Sequence, residues 1–163
     1  MGISRMNHAV LYVRDATRSA AFYQDVLGFS TVVEFPGGAF LRAPDSTNDH
    51  DIAFFSIGEN AGPSTAGRST VGLYHLAWEI GTLTELVALE KELTKVGALV
   101  GSSDHTATKS LYAKDPDGLE FEVCWVVPLE LLGEVAAPEG IRPLPLDLNK
   151  EIEHYGALTP SGR

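Results

Sequence analysis

"KSLYAKDPDGLEFEVCW", residues 109–125, is two strand-like runs joined by the turn sequence Asp115-Pro116-Asp117-Gly118. Pro116 suits the first turn position, and Gly118 accepts the left-handed conformation that closes a three-residue hairpin loop with a bulge. Asp115 then pairs with Leu119, and counting back along both arms sets Tyr112 across from Glu122. Directly opposite residues share a sheet face, so Tyr112 and Glu122 look into one space. Glu120, Glu122 and Cys124 alternate onto that face, while Leu119, Phe121, Val123 and Trp125 make an apolar stripe on the other. Two readings stay open for these residues alone: a cross-strand Tyr–Glu pair on a wet surface, or half of a reactive site.

Working back toward the N-terminus, the hairpin is the end of a unit that occurs twice. "LYHLAWEI" (73–80) reads as a strand, "GTLTELVALEKELTKVG" as a helix stopped by Gly97, and "ALVGSS", "KSLYAK" and "LEFEVCWVV" as three more strands. The first half follows the same order. "HAVLYV" (8–13) is a strand, and a helix follows with Asp15 or Thr17 as its cap and Gly28 as its stop. "STVVEF", "AFLRA" and "DIAFFSI" are its three further strands. His8 and His75 open matching strands of the two halves, and both are expected to be at least half buried. "ENAGPSTAGRS" (59–69) has no apolar run and reads as a linker. From Pro128 on, the chain carries five of its nine prolines. An extended tail is expected there, with a short helix near "DLNKEIEHYG" and disorder in the last few residues.

Composition bounds the function. The 163 residues are 44% apolar and 21% charged, enough for a packed core, and the formal net charge is −10. A surface of that sign repels nucleic acid, and no basic cluster serves an anionic membrane. The single cysteine, Cys124, excludes an internal disulfide and a Cys-rich zinc site. With no long apolar segment and no signal-peptide layout, a cytoplasmic protein is expected. A lone histidine in an apolar strand is usually a core residue. Two at equivalent positions, with a carboxylate on a later strand, suit a metal with open coordination positions: Fe(II), or alternatively Mn(II) or Zn(II).

"NHAVLYV", "YHLAWEI" and "DPDGLEFEV" resemble the vicinal oxygen chelate superfamily. That superfamily includes glyoxalase I, fosfomycin-resistance and bleomycin-binding proteins and type I extradiol dioxygenases. The resemblance covers residues 5–127. It implies an α+β fold of two βαβββ modules forming a curved mixed sheet around a metal site. Module one would span 5–58, the linker 59–70 and module two 71–127, all within one domain (1–127), with 128–163 as a C-terminal extension. The metal ligands it implies are His8, His75 and Glu122; Glu120 falls two residues early. Within the superfamily, "HDIAFF" and "SDHTATKSLYAKDPDG" look most like catechol 2,3-dioxygenases, and "IRPLPLDLN" like the C-terminal end of compact members. The resemblance makes His50 an acid–base catalyst, Tyr112 a hydrogen-bond donor to a bound catecholate and His105 a residue that orients the substrate. His154 matches no functional position. Many large extradiol enzymes have four modules and this chain has two. It would build its site from its own halves or swap halves in a dimer.

The implied activity is extradiol ring cleavage of a small aromatic diol with dioxygen. Two rivals accompany it. A glyoxalase-like lyase or isomerase commonly adds a fourth protein ligand, and "DIAFFSIGE" offers no carboxylate before Glu59. A metal-free drug-binding protein would not need the whole His, His, Glu set. A homodimer is expected, because two four-stranded modules leave sheet edges and apolar faces for a second copy to cover.

Overall fold

The computed structural model describes residues 1–132 and 143–162. The chain is α+β and divides into two compact units: Met1–Ser64 with the turn Asp115–Gly118, and Thr65–Lys114 with the chain from Leu119 onward. Each unit contains one four-stranded mixed sheet.

In the first unit β1 (Ala9–Val13) runs parallel to β4 (Ile52–Ser56). β3 (Gly38–Arg42) and β2 (Ser30–Phe35) follow antiparallel, giving the order β1-β4-β3-β2. α1 (Ala16–Leu27) crosses from β1 to β2. Its cap is Asp15, whose carboxylate accepts from the Thr17 and Arg18 amides, and Gly28 ends it at φ 74°. α1 buries Ala16, Ala20 and Tyr23, and the Tyr23 ring packs 5.0 Å from Phe54 and 5.5 Å from Phe29. Burial, then the charge of Asp115, pushes the Tyr23 phenol up. Among the described residues no helix of this unit covers the other face of the sheet. Val10, Tyr12, Val33 and Phe35 are exposed there, and Phe40 and Phe55 meet edge to face at 5.9 Å.

The turn Asp115–Gly118 clusters with this unit. The Asp117 carboxylate accepts from the Arg14 amide at 2.8 Å, Arg14 Nη1 at 2.7 Å and Arg18 Nη2 at 3.1 Å. Gly118, at φ 83°, donates its amide to the Asp115 carbonyl, as the hairpin reading expects.

In the second unit β5 (Leu76–Glu79) runs parallel to β8 (Glu120–Val126). β7 (Thr108–Lys114) and β6 (Leu99–Asp104) complete the order β5-β8-β7-β6. β5 is shorter than expected and starts after His75. Its paired run with β8 goes from Leu76 opposite Phe121 to Glu79 opposite Cys124, so His75 stands immediately before it. α2 (Leu83–Lys95) is capped by Thr82, whose hydroxyl accepts from the Glu85 amide and donates to the Glu85 carboxylate, and the left-handed Gly97 follows it. Leu83, Leu86, Leu89 and Leu93 are buried on α2, as are Leu111, Ala113, Phe121, Val123 and Trp125 on the sheet. Each fully buried leucine contributes about 1.5–3 kcal/mol.

A 3-10 turn (Leu129–Leu131) and α3 (Leu148–Tyr155) follow, the latter where a tail helix is expected. The extended path read for residues 133–142, and the start of "IRPLPLDLN", lie outside the described residues, as does Arg163. The expected disorder of the last few residues is corrected up to Gly162. The Thr159 carbonyl accepts the Trp125 indole N–H at 3.1 Å, and Ser161 Oγ takes the Val126 amide at 2.8 Å. The Gly162 amide donates to the Val126 carbonyl at 3.0 Å. These groups at the end of β8 need partners, and the chain end supplies them.

Candidate metal centre

The second unit brings four of the expected site residues into one chain of contacts. Tyr112 on β7 lies directly across from Glu122 on β8, and Ala77 on β5 pairs with Glu122 from the other side. That parallel register sets His75, just before β5, beside the Glu122 carboxylate: His75 Nε2 lies 2.9 Å from Glu122 Oε2. Their side chains are 22% and 13% exposed, so the pair is largely withdrawn from bulk water. Tyr112 Oη reaches Glu122 Oε1 at 3.5 Å, the long end of hydrogen bonding, and His105 Nε2 at 2.8 Å. The phenol has one proton. With Glu122 ionised, both bonds form together only when His105 carries its proton on Nε2. Burial, then the Glu122 charge, pushes the Tyr112 phenol up to about 12, so it stays a neutral donor at physiological pH. The Tyr74 ring lies tilted against His75 with centroids 4.5 Å apart, and a hydrogen bond to Glu120 pushes its phenol up.

His8 and His50 lie together in the first unit, with ring centroids 4.3 Å apart and planes 30° from parallel. The expectation that His8 is half buried is corrected: it is exposed. It precedes the edge strand β1 on the face that α1 does not cover. Its Nδ1 lies 2.6 Å from Asn7 Oδ1. His50 is better enclosed. Its Nδ1 is 3.1 Å from Asp49 Oδ2, its ring meets Phe40 edge to face with centroids 5.0 Å apart, and its Nε2 is buried without a hydrogen-bond partner. A buried ring nitrogen with no partner is costly and marks a place for one. Hydrogen bonds from the backbone and then the ring of His50 hold the Asp49 carboxyl below its ordinary value.

The His50 loop has an organiser that sequence reading missed. Asp51 accepts from the Ala43 amide at 2.8 Å, Ser46 Oγ at 2.7 Å and Asn48 Nδ2 at 2.7 Å. Burial works against the Asp51 charge, but those bonds outweigh it and hold the carboxyl low. Asn48 Nδ2 also donates to the Asn7 carbonyl at 2.8 Å, tying this loop to the residue before His8. The Ser, Asn and Asp density of "STNDHD" was the available signal for such a self-bonded loop. His154, which matches no functional position, is exposed on α3.

Among the described residues no group of three or more His, Cys, Asp or Glu stands in metal-holding geometry. The His75–Glu122 pair nevertheless fits two adjacent positions of a metal shell. Two donors about 2.1 Å from one ion, at right angles, lie about 3 Å apart. The two atoms here are 2.9 Å apart, and the imidazole-plus-carboxylate donor set suits Fe(II), Mn(II) or Zn(II). His75 Nδ1 is buried with no partner, so the ring's outer nitrogen is not tied to a carbonyl or carboxylate.

A family model described as the glyoxalase/bleomycin resistance protein/dioxygenase superfamily matches residues 5–123. The catechol-2,3-dioxygenase of Bacillus subtilis (strain 168) is 31% identical over 123 residues, covering 74% of this chain and 41% of that protein. The biphenyl-2,3-diol 1,2-dioxygenase 3 of Rhodococcus globerulus is 33% identical over 115 residues, covering 70% of this chain and 59% of its own length. The chain thus spans well under two thirds of either relative. The crystal structure of a glyoxylase/bleomycin resistance protein/dioxygenase domain from Frankia sp. EAN1pec superposes with a TM-score of 0.65 at 22% identity. It covers 78% of this chain and 96% of that domain, a likeness of fold.

Proposed function

The chain belongs to the glyoxalase/bleomycin resistance protein/dioxygenase superfamily, and from that premise we propose that it is a type I extradiol dioxygenase opening a catechol-type ring with dioxygen. The observation that carries the reading is the run His75–Glu122–Tyr112–His105, linked at 2.9, 3.5 and 2.8 Å. It sets a ligand pair beside a neutral hydrogen-bond donor. The two dioxygenase relatives support it.

In this reading His8, His75 and Glu122 hold the ion, Fe(II) foremost, with Mn(II) or Zn(II) as alternatives. When bound, the metal would supply Lewis acidity. His50 takes a proton from the diol and returns it as the ring opens. Its partnerless, buried Nε2 is the atom available for that transfer. Tyr112 donates a hydrogen bond to a substrate oxygen, and its raised pKa keeps that proton in place. His105 orients the Tyr112 hydroxyl. The aromatic residues on the open face of the first unit (Tyr12, Phe35, Phe40 and Phe55) suit a flat apolar substrate. The protein acts as a homodimer, with the exposed apolar positions of β1 and β2 as the first candidates for cover.

The test is anaerobic reconstitution with Fe(II), followed by a panel of substituted catechols and air. Ring opening beside the diol gives a yellow product read in visible absorbance. If every catechol survives while a thiol adduct of methylglyoxal is converted, the glyoxalase-like reading replaces this one. A light-scattering mass of one chain across micromolar concentrations removes the dimer.

A further inference from the structure

Lys109 is 3% exposed, a cation buried on the face of the second sheet opposite Tyr112. Its Nζ donates to Asp104 Oδ1 at 2.5 Å and to Glu151 Oε2 of α3 at 3.0 Å, and the Tyr155 ring lies 5.5 Å away. Burial works against its charge, but the two carboxylates outweigh that and raise its pKa. An ammonium this buried is costly without its partners, so the three groups constrain one another.

Asp104 joins this group to the turn that carries His105. It ends β6, and its backbone exchanges two 2.9 Å hydrogen bonds with Leu144 of the C-terminal extension. The same Oδ1 that accepts from Lys109 also accepts from the Thr106 amide at 2.7 Å. Thr106 sits at φ 68°, the one residue other than glycine with positive φ among the described residues. A β-branched residue avoids that conformation unless its surroundings impose it. The turn closes through the His105 amide on the Thr108 carbonyl at 2.9 Å and the Ala107 amide on the His105 carbonyl at 2.8 Å. From it, His105 Nε2 meets Tyr112 Oη at 2.8 Å.

We infer that Lys109 and Glu151 are positioning residues: acting through Asp104, they hold the strained turn that presents His105 to Tyr112. A plain anchor for α3 already exists in the Trp125–Tyr155 ring contact at 5.3 Å and the Trp125 bond to Thr159. Such an anchor has no need of a carboxylate that also grips the Thr106 amide. Glu151 lies beyond residues 5–123, so an appended helix steadies a turn of the family module. The geometric part of the inference stands alone, while its effect on turnover rests on Tyr112 facing the substrate.

The experiment uses the full chain with four substitutions: Glu151→Gln, Lys109→Met, Lys109→Arg and, as a control, Lys150→Gln on the exposed side of α3. In metal-free, ¹⁵N-labelled protein, the His105 ring nitrogens and the exchange of the His105 and Ala107 amides are followed. In Fe(II)-loaded protein, kcat and KM are measured with catechol. Glu151→Gln and Lys109→Met are expected to speed exchange at His105 and Ala107 about tenfold, with Leu86 and Leu89 of α2 unchanged. The His105 Nε2 signal shifts in both, and kcat falls about five- to tenfold with KM nearly constant. Lys109→Arg restores most of each effect, and Lys150→Gln has none. Unchanged His105 signals in both variants would overturn the inference. So would exchange that rises equally in α2, which means general loosening, or a kcat loss with the His105 ring undisturbed. If the unsubstituted Fe(II) protein opens no catechol, the dioxygenase reading fails, and the metal-free His105 signals alone decide the inference.

Discussion

Replacing Asp117 by asparagine tests what the turn of the central hairpin does for the fold. The side chain keeps its volume and its acceptor for the Arg14 amide, but loses its charge. Asp117 is 6% exposed in its side chain, and it meets Arg14 Nη1 at 2.7 Å and Arg18 Nη2 at 3.1 Å. The Arg14 bond is charge-assisted and partly buried, worth about 1.5–3 kcal/mol. Arg18 is 41% exposed and shares itself with Glu59, so solvent screening leaves it about 0.2–1 kcal/mol. The loss is expected to be about 2–3 kcal/mol, read as a lower urea midpoint with an unchanged slope. Its pH dependence is the sharper check. Burial pushes the Asp117 carboxyl up, but the bonds from the Arg14 backbone and side chain, with the charges of Arg18 and Arg14, hold it below its ordinary value. A carboxyl depressed by folding stabilises fully above its unfolded pKa, and that contribution disappears as pH falls through its folded pKa. The difference between wild type and Asp117→Asn is therefore largest at neutral pH and shrinks below about pH 4. A difference that persists undiminished at pH 2, or one under about 0.5 kcal/mol at pH 7, would refute the reasoning.

Three further outcomes follow from the site. Glu122→Gln and His75→Ala should each sharply lower Fe(II) occupancy, measured by equilibrium dialysis under anaerobic conditions, because each removes one of the two donors held 2.9 Å apart. His50→Ala should keep the metal but slow ring opening by roughly 10²–10⁴-fold, the usual worth of acid–base assistance; an unaltered rate removes His50 from the mechanism. Tyr112→Phe should cost roughly five- to tenfold in turnover, about one hydrogen bond, with metal occupancy intact. That loss should be level between pH 6 and 9, because the phenol's pKa, up at about 12, lies well above that window.

The register of the 109–125 hairpin is legible in the amino-acid sequence, because Pro116 and Gly118 restrict one turn and strand alternation does the rest. The same local chemistry sets the end of α1 at Gly28 and the leucine stripe of α2. It also sets the division into two strand-helix-three-strand halves, which the two sheets bear out. The contact of His75 with Glu122, proposed as ligands, needs one step more, the parallel pairing of β5 with β8. The match between the halves implies it, though composition alone does not. Other features depend on partners far along the chain. Nothing in the sequence marks Lys109 as buried; Glu151, from α3, closes over it. Asp117 reads as a turn former until Arg14, 103 residues earlier, takes its carboxylate. The final residues read as a loose end until Trp125 and Val126 supply groups that need partners. Turn geometry and side-chain periodicity are properties of neighbours in sequence, so the chain states them directly. Burial of a charge and satisfaction of a backbone group depend on what packs from elsewhere, so only the tertiary structure decides them.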